Sequence, residues 1–202
     1  MTVWAIIPAR SGSKRLPHKN IKKFLKRPLI FHSINFAKKL KFIDNIFIST
    51  DSKKYKKIIE ENYDIKVPFL RSRSAARDKS MEEDILFDIF KQCKKNKLKL
   101  PTDVLWLRPT MPLRCLNSFN EAFKIYRKQN NSLCMVTEQD SRIFKVIGNF
   151  ILPINKDFTK KSMIRYQDTE HYYKNFYGEF FKFPKKFNRK FLTKKKRYFI
   201  LP

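Results

Sequence analysis

Short apolar runs alternate with amphipathic segments along the first 136 residues, and this alternation limits the folds that the chain can adopt. Residues 3–7 (Val-Trp-Ala-Ile-Ile) form a continuous apolar run, which is typical of a strand buried on both faces. The predicted elements that follow are helices at about 28–40, 52–62, 80–95 and 116–127, and strands at 46–48, 65–70, 104–107 and 133–136. Because strands joined through helices pair in parallel by right-handed crossovers, the pattern predicts an α/β fold with a doubly wound, mostly parallel, Rossmann-like sheet.

The residues at the predicted helix starts indicate how three of the helices begin. Pro28 suits the first turn of a helix, where no backbone N–H is needed. Asp51 or Ser52 is expected to cap the second helix, and Ser80 the third, with Asp78 as an alternative cap. A functional role for Asp51 is an equally weighted hypothesis.

The regular alternation of predicted strands and helices ends after residue 137. Residues 144–154 are predicted to form a hairpin, and residues 178–183 a further strand. We interpret residues 138–175 as an insertion that carries specificity or a dimer contact. A chain of 202 residues suits one sizeable α/β domain, so a single domain over 1–202 is predicted.

The chain is strongly basic, with 46 Lys and Arg against 18 Asp and Glu, which gives a net charge of +28. Such a charge predicts attraction to polyanions, although the coding bias of an AT-rich genome is the simpler interpretation of the Lys count. Residues 182–190 and 194–197 interleave cations with Phe and Tyr, as surfaces that bind single-stranded nucleic acid do. A nucleic-acid-binding protein is therefore a second hypothesis, although no RRM, KH or helix-turn-helix signature is present.

Cysteine usage and hydropathy favour a reduced, cytoplasmic protein. The three cysteines, Cys93, Cys115 and Cys134, form no C-x-x-C pair and are odd in number. The first apolar run is too short for a signal peptide, and no stretch reaches the length of a membrane span. The sequence therefore predicts no membrane insertion.

The loop after the first strand carries the strongest functional pattern. In an open α/β sheet, the loop at the carboxyl end of this strand is a usual place for a nucleotide. Ala9, Ser13 and their small neighbours let backbone N–H groups approach phosphate oxygens, and Arg10, Lys14 and Lys19 add charge. The loop has neither the Walker A spacing nor a dinucleotide fingerprint.

Residues 7–20 (Ile-Pro-Ala-Arg-Ser-Gly-Ser-Lys-Arg-Leu-Pro-His-Lys-Asn) closely resemble the I-P-A-R-x-G-S-K-x-(I/L)-P-x-K-N signature of the cytidylyltransferases that act on nine-carbon sugar acids. This family includes CMP-sialic acid synthetase and its pseudaminic and legionaminic acid counterparts. Residues 26–30, 48–51, 67–71 and 107–114 are similar, in order, to the family segments G-K-P-L-I, V-S-T-D, V-P-F-x-R and L-(Q/R)-P-T-S-P-L-R. Residues 165–168 are similar to R-x-Q-D, and Asp78 and Gly178 also fit the family's spacing.

The resemblance implies roles for individual residues. The nucleotide-binding residues would be Ala9, Arg10, Ser13, Lys14, Lys19, Asn20, Arg71 and Ser80. Within this set, Arg10, Lys14 and Lys19 would hold the triphosphate, and Asn20 and Arg71 would contact ribose or base. The sugar-binding residues would be Arg108, Thr110, Arg165 and Gln167, and the catalytic residues would be Arg10, Lys19 and Arg108.

The resemblance also implies the reaction and its partners. The anomeric hydroxyl of a sugar acid would attack the α-phosphorus of CTP, with loss of pyrophosphate, for surface polysaccharide biosynthesis. Such chemistry depends on positioning and on neutralising charge. A homodimer is expected, and so is Mg²⁺ bound by an Asp-x-Asp segment placed beyond residue 202. The sequence contains no Asp-x-Asp, which we interpret as truncation. A slow homologue and a metal held by other groups are the alternatives.

The sugar acid itself is left open by the motifs. Residues 14–17 (Lys-Arg-Leu-Pro) favour pseudaminic-type relatives, whereas residues 107–114 favour sialic-type ones. A cytidylyltransferase for an eight-carbon sugar acid is a further alternative.

Overall fold

A six-stranded sheet with helices on both faces organises the chain. The computed structural model describes residues 1–129, 131–139, 144–148, 150–153, 172–185, 187 and 197–201. In chain order, its strands and α-helices are β1 Val3–Pro8, β2 Lys23–Phe24, β3 Arg27–Pro28, α1 Leu29–Lys39, β4 Asn45–Ser49, α2 Lys53–Asn62, α3 Glu82–Lys95, β5 Asp103–Trp106, α4 Leu116–Lys128, β6 Leu133–Gln139, β7 Phe144–Ile147, β8 Phe150–Pro153, β9 Tyr172–Lys182 and β10 Arg197–Ile200. Short 3-10 helices span Lys19–Ile21 and Ser74–Ala76.

The strand order across the sheet is β10-β6-β9-β5-β1-β4. β1 pairs in parallel with β4 and β5, and β6 pairs in parallel with β10. β9 runs antiparallel between β5 and β6. The predicted α/β class with a mostly parallel sheet is confirmed, with one reversed strand inserted in it.

The predicted strand at residues 65–70 is wrong, because this segment pairs with no strand of the described sheet. Pro68 has no N–H to give to a ladder. The N–H of Val67 donates instead to Glu60 Oε1 at 2.8 Å, and the N–H of Arg71 donates to Thr50 O at 2.7 Å. The segment therefore runs beside the carboxyl end of β4, and it places Arg71 at the carboxyl edge of the sheet.

Each face of the sheet is covered by its own apolar cluster. On one face, Ile34 of α1, Ile59 of α2 and Phe119 of α4 pack against alternate residues of β1 and β5. On the other face, Leu86 and Ile89 of α3 pack against the remaining residues of those strands. Because both faces of β1 are buried, its continuous apolar sequence is explained by the layers on either side of it.

Of the predicted caps of α2 and α3, one is confirmed and one is wrong. Ser52 caps α2, since its side chain accepts a hydrogen bond from the N–H of Tyr55 at 3.3 Å. Ser80 does not cap α3, which begins at Glu82; the Ser80 hydroxyl donates to Ser74 O at 2.8 Å. The alternative cap, Asp78, is also used elsewhere, in ion pairs.

The later part of the chain confirms two expectations. β7 and β8 form the predicted hairpin, with Phe144 opposite Pro153 and Ile147 opposite Phe150. The predicted strand at 178–183 is the second half of the longer strand β9. Most of the interpreted insertion, including residues 154–171, lies outside the described residues. No described helix has the length and apolar character needed to cross a bilayer.

Candidate active site

A cleft of about 300 Å³ lies at the carboxyl ends of β1 and β5. Its walls bring together residues that are far apart in the sequence and that were predicted to bind substrate: Arg10, Ser13, Lys19, Asn20, Arg71, Ser80, Arg108 and Thr110. Ala9 is fully buried at the end of β1, and Lys14 is exposed at the rim. The predicted sugar-binding residues Arg165 and Gln167 lie outside the described residues. The edge of the sheet is therefore the place where the loop, the 71–80 segment and the 107–110 segment meet.

A larger cavity of about 640 Å³ lies elsewhere, lined by Trp4, Ile46 and Pro68 among others. None of the predicted site residues lines this cavity. We assign the candidate site to the smaller cleft, because cationic and polar side chains converge there at the switch in strand order where α/β sheets bind ligands.

The loop that follows β1 is held in shape by its own polar residues. The side-chain Nδ2 of Asn20 donates to Arg10 O at 3.0 Å, and Asn20 is only 6% exposed. The N–H and hydroxyl of Ser11 donate to the two carboxylate oxygens of Asp51, at 2.8 and 3.0 Å. Asp51 thus holds the loop instead of capping α2. The sequence suggested either a cap or a functional role for Asp51, and it did not identify Ser11 as its partner.

Two cations of the loop share one carboxylate. Arg10 Nη1 lies 3.1 Å from Asp78 Oδ1, and Lys14 Nζ lies 2.6 Å from Asp78 Oδ2. The hydrogen bond from Lys14, with the charges of Lys14 and Arg10, holds the pKa of Asp78 below its usual range. Two of the three cations predicted to hold phosphate are thus arranged around an anion in this structure.

Arg71 is buried at the base of the cleft. Its Nε donates to Ser49 Oγ at 3.0 Å, and its Nη2 donates to Ser49 O at 2.6 Å. Burial lowers the pKa of Arg71 to about 10, although Asp51 and Asp88 oppose this change. These contacts fix the guanidinium plane of Arg71 against the end of β4. The orientation of this side chain is therefore set before any ligand binds.

Arg108 forms the opposite wall, and a second arginine supports it. Arg108 Nη2 lies 2.5 Å from Glu82 Oε1, at the first residue of α3. Arg114 donates to Arg108 O at 2.7 Å, to Ser33 Oγ at 3.1 Å and to Tyr177 O at 3.3 Å. Burial lowers the pKa of Arg114 to about 10. Sequence reasoning assigned no role to Arg114; its place at the end of the 107–114 motif was the available signal.

The residues around the cleft do not fit a divalent metal. Within the described part of the chain, no three His, Cys, Asp or Glu side chains form a possible ligand group. Glu82, which lines the cleft, is engaged by Arg108, and nearby Asp78 is engaged by Arg10 and Lys14. Carboxylates that are neutralised by cations are poor ligands for Mg²⁺, which prefers hard, available oxygens.

Comparison with known proteins identifies the family. Residues 4–145 match the family model described as cytidylyltransferase. The chain belongs to this family. The matched region includes the loop after β1 and all the residues that line the cleft. The family match and the candidate site therefore concern the same part of the chain.

Curated relatives name related sugar acids. The chain is 34% identical over 137 residues to CMP-N,N'-diacetyllegionaminic acid synthase of Legionella pneumophila, covering 68% of this chain and 58% of that protein. It is 31% identical over 172 residues to pseudaminic acid cytidylyltransferase of Campylobacter jejuni, covering 83% and 68%. It also matches N-acylneuraminate cytidylyltransferase of Escherichia coli at 28% identity, spanning 45% of that protein's length. The chain thus spans about half of the length of two of these relatives.

Solved structures agree on the fold. A CMP:2-keto-3-deoxy-manno-octonic acid synthetase complexed with CTP superposes with a TM-score of 0.62 at 14% identity, covering 90% of this chain and 74% of that one. A 4-diphosphocytidyl-2C-methyl-D-erythritol synthase from Anaerococcus prevotii gives a TM-score of 0.60 at 16% identity, covering 99% and 88%. At such low identity, these matches support the fold alone.

Proposed function

We propose that this protein transfers CMP from CTP to the anomeric hydroxyl of a sialic-acid-like nine-carbon sugar acid and releases pyrophosphate, in surface polysaccharide biosynthesis. The observation that carries the proposal is the convergence of the motif residues in one cleft at the carboxyl ends of β1 and β5. The curated relatives, which act on legionaminic, pseudaminic and N-acylneuraminic acids, support the nine-carbon class. They do not favour the nucleic-acid or eight-carbon alternatives.

The loop after β1 supplies the binding site for the triphosphate in this proposal. Lys19 and Arg10 line the cleft, and Lys14 stands at its rim beside Arg10. Triphosphate oxygens replace the Asp78 carboxylate as the partner of Arg10 and Lys14, because phosphate offers more charge and more acceptor oxygens. The loop, already braced by Asn20 and Asp51, changes little when the nucleotide binds.

The opposite wall supplies the binding site for the acid. The planar guanidinium of Arg108 suits a carboxylate, and Thr110 adds a hydroxyl two residues away. In the transfer step, the anomeric oxygen forms a bond to the α-phosphorus while the bond from that phosphorus to the pyrophosphate oxygen breaks. The pyrophosphate leaves with its electron pair, and the proton of the attacking hydroxyl is released. Arg10 and Lys19 stabilise the charge that develops on the phosphates.

Four further expectations remain predictions. Mg²⁺ is expected from the resemblance, but the described residues provide no ligand set, so the proposal assigns no step to a metal. A homodimer and a cytoplasmic location also remain predictions, together with the single-domain organisation over 1–202. Light scattering after size exclusion would test the dimer directly.

Pyrophosphate release tests the proposed function. The chain is incubated with CTP, Mg²⁺ and, separately, N-acetylneuraminic, N,N'-diacetyllegionaminic and pseudaminic acids, while CTP binding is followed by isothermal titration. We expect release with one of these acids. Lys19→Met should weaken CTP binding, whereas Lys23→Met, an exposed lysine outside the cleft, should not. No CTP binding, with tight and steeply salt-dependent binding to single-stranded RNA instead, would contradict the proposal and favour the nucleic-acid hypothesis.

A further inference from the structure

The indole nitrogen of Trp106 is a buried hydrogen-bond donor. Trp106 ends β5 and is only 1% exposed. Its Nε1 atom has no hydrogen-bond partner among the described residues. An indole N–H is a donor only, and tryptophan side chains that are buried this deeply usually place it against an acceptor. The large majority of buried side-chain polar atoms are paired, so an unpaired donor at a ligand site calls for an explanation.

Trp106 is also part of the wall of the candidate cleft. It lines the cleft together with Ile85, Glu82 and Arg108. Trp106 and Ile85 share the apolar cluster on the α3 side of the sheet, whereas Leu107 belongs to the cluster on the opposite side. Successive residues of an extended segment point to opposite faces, so Arg108 lies on the same side as Trp106, where it pairs with Glu82 at the start of α3. Trp106 and Arg108 therefore reach the same wall of the cleft, below the first turn of α3.

The chemistry of this wall favours an anionic acceptor. Arg108 is paired with the Glu82 carboxylate, which shows that the wall can hold a carboxylate. A substrate carboxylate has two oxygens and about four lone-pair directions, so it can accept from a guanidinium and from a neutral N–H together. The loop cations Arg10 and Lys14 are paired instead with Asp78. The indole donor thus lines the cleft two residues away from Arg108, the residue proposed to bind the acid.

We propose that the indole N–H of Trp106 donates a hydrogen bond to a carboxylate oxygen of the acid substrate beside Arg108, and that this contact helps to select an acid. The inference rests on the proposed function, because it takes the occupant of this wall to be a sugar acid. In the bound state, the substrate carboxylate takes the place of Glu82 at Arg108 and gives Trp106 its acceptor. Trp106 acts in binding and orientation; it takes no proton and forms no bond with the reacting atoms.

Proton–nitrogen correlation spectra of the whole chain test this contact directly. The chain has two tryptophans, so two indole cross-peaks are expected. Trp4→Phe and Trp106→Phe each remove one peak and assign the other. The probes are CTP alone, followed by N-acetylneuraminic, N,N'-diacetyllegionaminic and pseudaminic acids added in turn. We expect the Trp106 proton to move downfield with one of the acids and to stay in place with CTP alone. The Trp4 peak serves as the internal control, because Trp4 stacks on Phe47 outside the cleft.

Kinetics of the same two variants provide the second measurement. Trp106→Phe keeps an aromatic ring but removes the donor, so kcat/KM for the acid should fall about tenfold through a higher KM, while CTP affinity is unchanged. Trp4→Phe is the matched control and should leave both constants unchanged.

The outcomes separate the two proposals. If the wild-type chain binds none of the three acids, the proposed function fails and the Trp106 contact fails with it. If an acid binds and turns over but the Trp106 peak does not move, only the contact is overturned. A downfield movement with CTP alone would also overturn it, because the acceptor would then belong to the nucleotide. Because the spectra of the wild-type chain decide between these results, poor folding of Trp106→Phe would not affect the test.

Discussion

Arg10 and Asp78 are joined across the mouth of the cleft by a contact of 3.1 Å between Nη1 and Oδ1, and the backbone carbonyl of Arg77 accepts a further bond from the same Nη1 at 3.1 Å. Lys14 completes the cluster from the rim. Asp78 is paired with two cations that are predicted to bind phosphate. Under the proposed function, its carboxylate would compete with an incoming triphosphate for these cations.

Asp78→Asn should tighten CTP binding by about threefold, since the pair is exposed and its contribution is modest. Because the pKa of Asp78 lies below its usual range, the carboxylate stays ionised, and the difference from wild type should persist down to about pH 5. Isothermal titration at several pH values measures this difference. Asp64→Asn, which removes an exposed carboxylate outside the cleft, is the charge-matched control. Weaker CTP binding by Asp78→Asn would mean that Asp78 orients Arg10 and does not compete with phosphate.

Arg114 is expected to stabilise the fold and to position the Arg108 wall. Arg114→Met removes three hydrogen bonds to groups on α1, the 107–110 segment and β9, so the free energy of unfolding should fall by about 2–4 kcal/mol. Arg114→Lys keeps the charge but cannot reach all three acceptors, and we expect an intermediate loss. Urea denaturation measures both changes. Arg73→Met, at an exposed arginine, is the control; equal stability of Arg114→Met and wild type would contradict the assignment.

Tyr126 and Asp103 form a buried pair that should make stability depend on pH. The Tyr126 hydroxyl donates to Asp103 Oδ1 at 2.6 Å, and Lys182 Nζ lies 2.6 Å from the same oxygen. Burial tends to raise the pKa of Asp103, but hydrogen bonds from Lys182, Thr102 and Tyr126 bring it below its ordinary value. Tyr126→Phe should therefore lower the free energy of unfolding by about 1–2 kcal/mol at pH 7.

The stabilisation from this pair should disappear in acid. A carboxyl group with a lowered pKa contributes stability fully above its unfolded-state pKa and loses it as the pH falls through the folded-state value. The difference between wild type and Tyr126→Phe should thus be constant from neutral pH to about pH 5 and shrink below about pH 4. Tyr63→Phe removes a hydroxyl that donates to the neutral Asn35 at 3.0 Å, so it provides a pH-independent control. A constant difference at all pH values would contradict the ionised pairing.

Gly178 is required by close packing against α4. A Cβ at residue 178 would lie 2.7 Å from Phe119 Cε1 and 3.0 Å from Cζ, and Phe119 is fully buried. Gly178→Ala should therefore lower the melting temperature and cost about 1–3 kcal/mol of stability. In a double-mutant cycle, Phe119→Leu should relieve part of this cost. Gly12→Ala is the comparison for stability, because nothing lies within 4 Å of the added methyl group. Additive effects of the two substitutions at 119 and 178 would contradict a clash between them.

The parts of the molecule that follow local rules could be predicted from the sequence. The apolar run at residues 3–7 gave a doubly buried strand, and the loop after it contains the cations that line the cleft. The strand at 65–70 could not be excluded by composition, since Pro68 is also tolerated at a sheet edge. Its conformation follows from two hydrogen bonds to other segments, from Val67 to Glu60 and from Arg71 to Thr50.

Long-range partners explain what sequence reasoning missed in the site. Asp51 is of a residue type that commonly caps helices. Only its hydrogen bonds with Ser11, which is distant in sequence, show that it holds the loop instead. Arg114 is significant because it is buried and donates to acceptors far along the chain. Trp106 is significant because its buried Nε1 has no acceptor among the described residues. The reversed direction of β9 likewise depends on where the chain returns to the sheet, which no local pattern encodes.

The position of β9 has a consequence for the order in which the protein can be built. β6 is made before both of its neighbours in the sheet, β9 and β10, which follow residue 171. While the chain emerges from a ribosome, β1, β4 and β5 can assemble, but both edges of β6 stay unpaired until about forty more residues have been synthesised. The wall that contains Arg108 is then completed last, when Tyr177 arrives to accept from Arg114. Assembly of the cleft is therefore a late step in synthesis. A chain interrupted before β9 would expose the unpaired edges of β6, which are prone to aggregation.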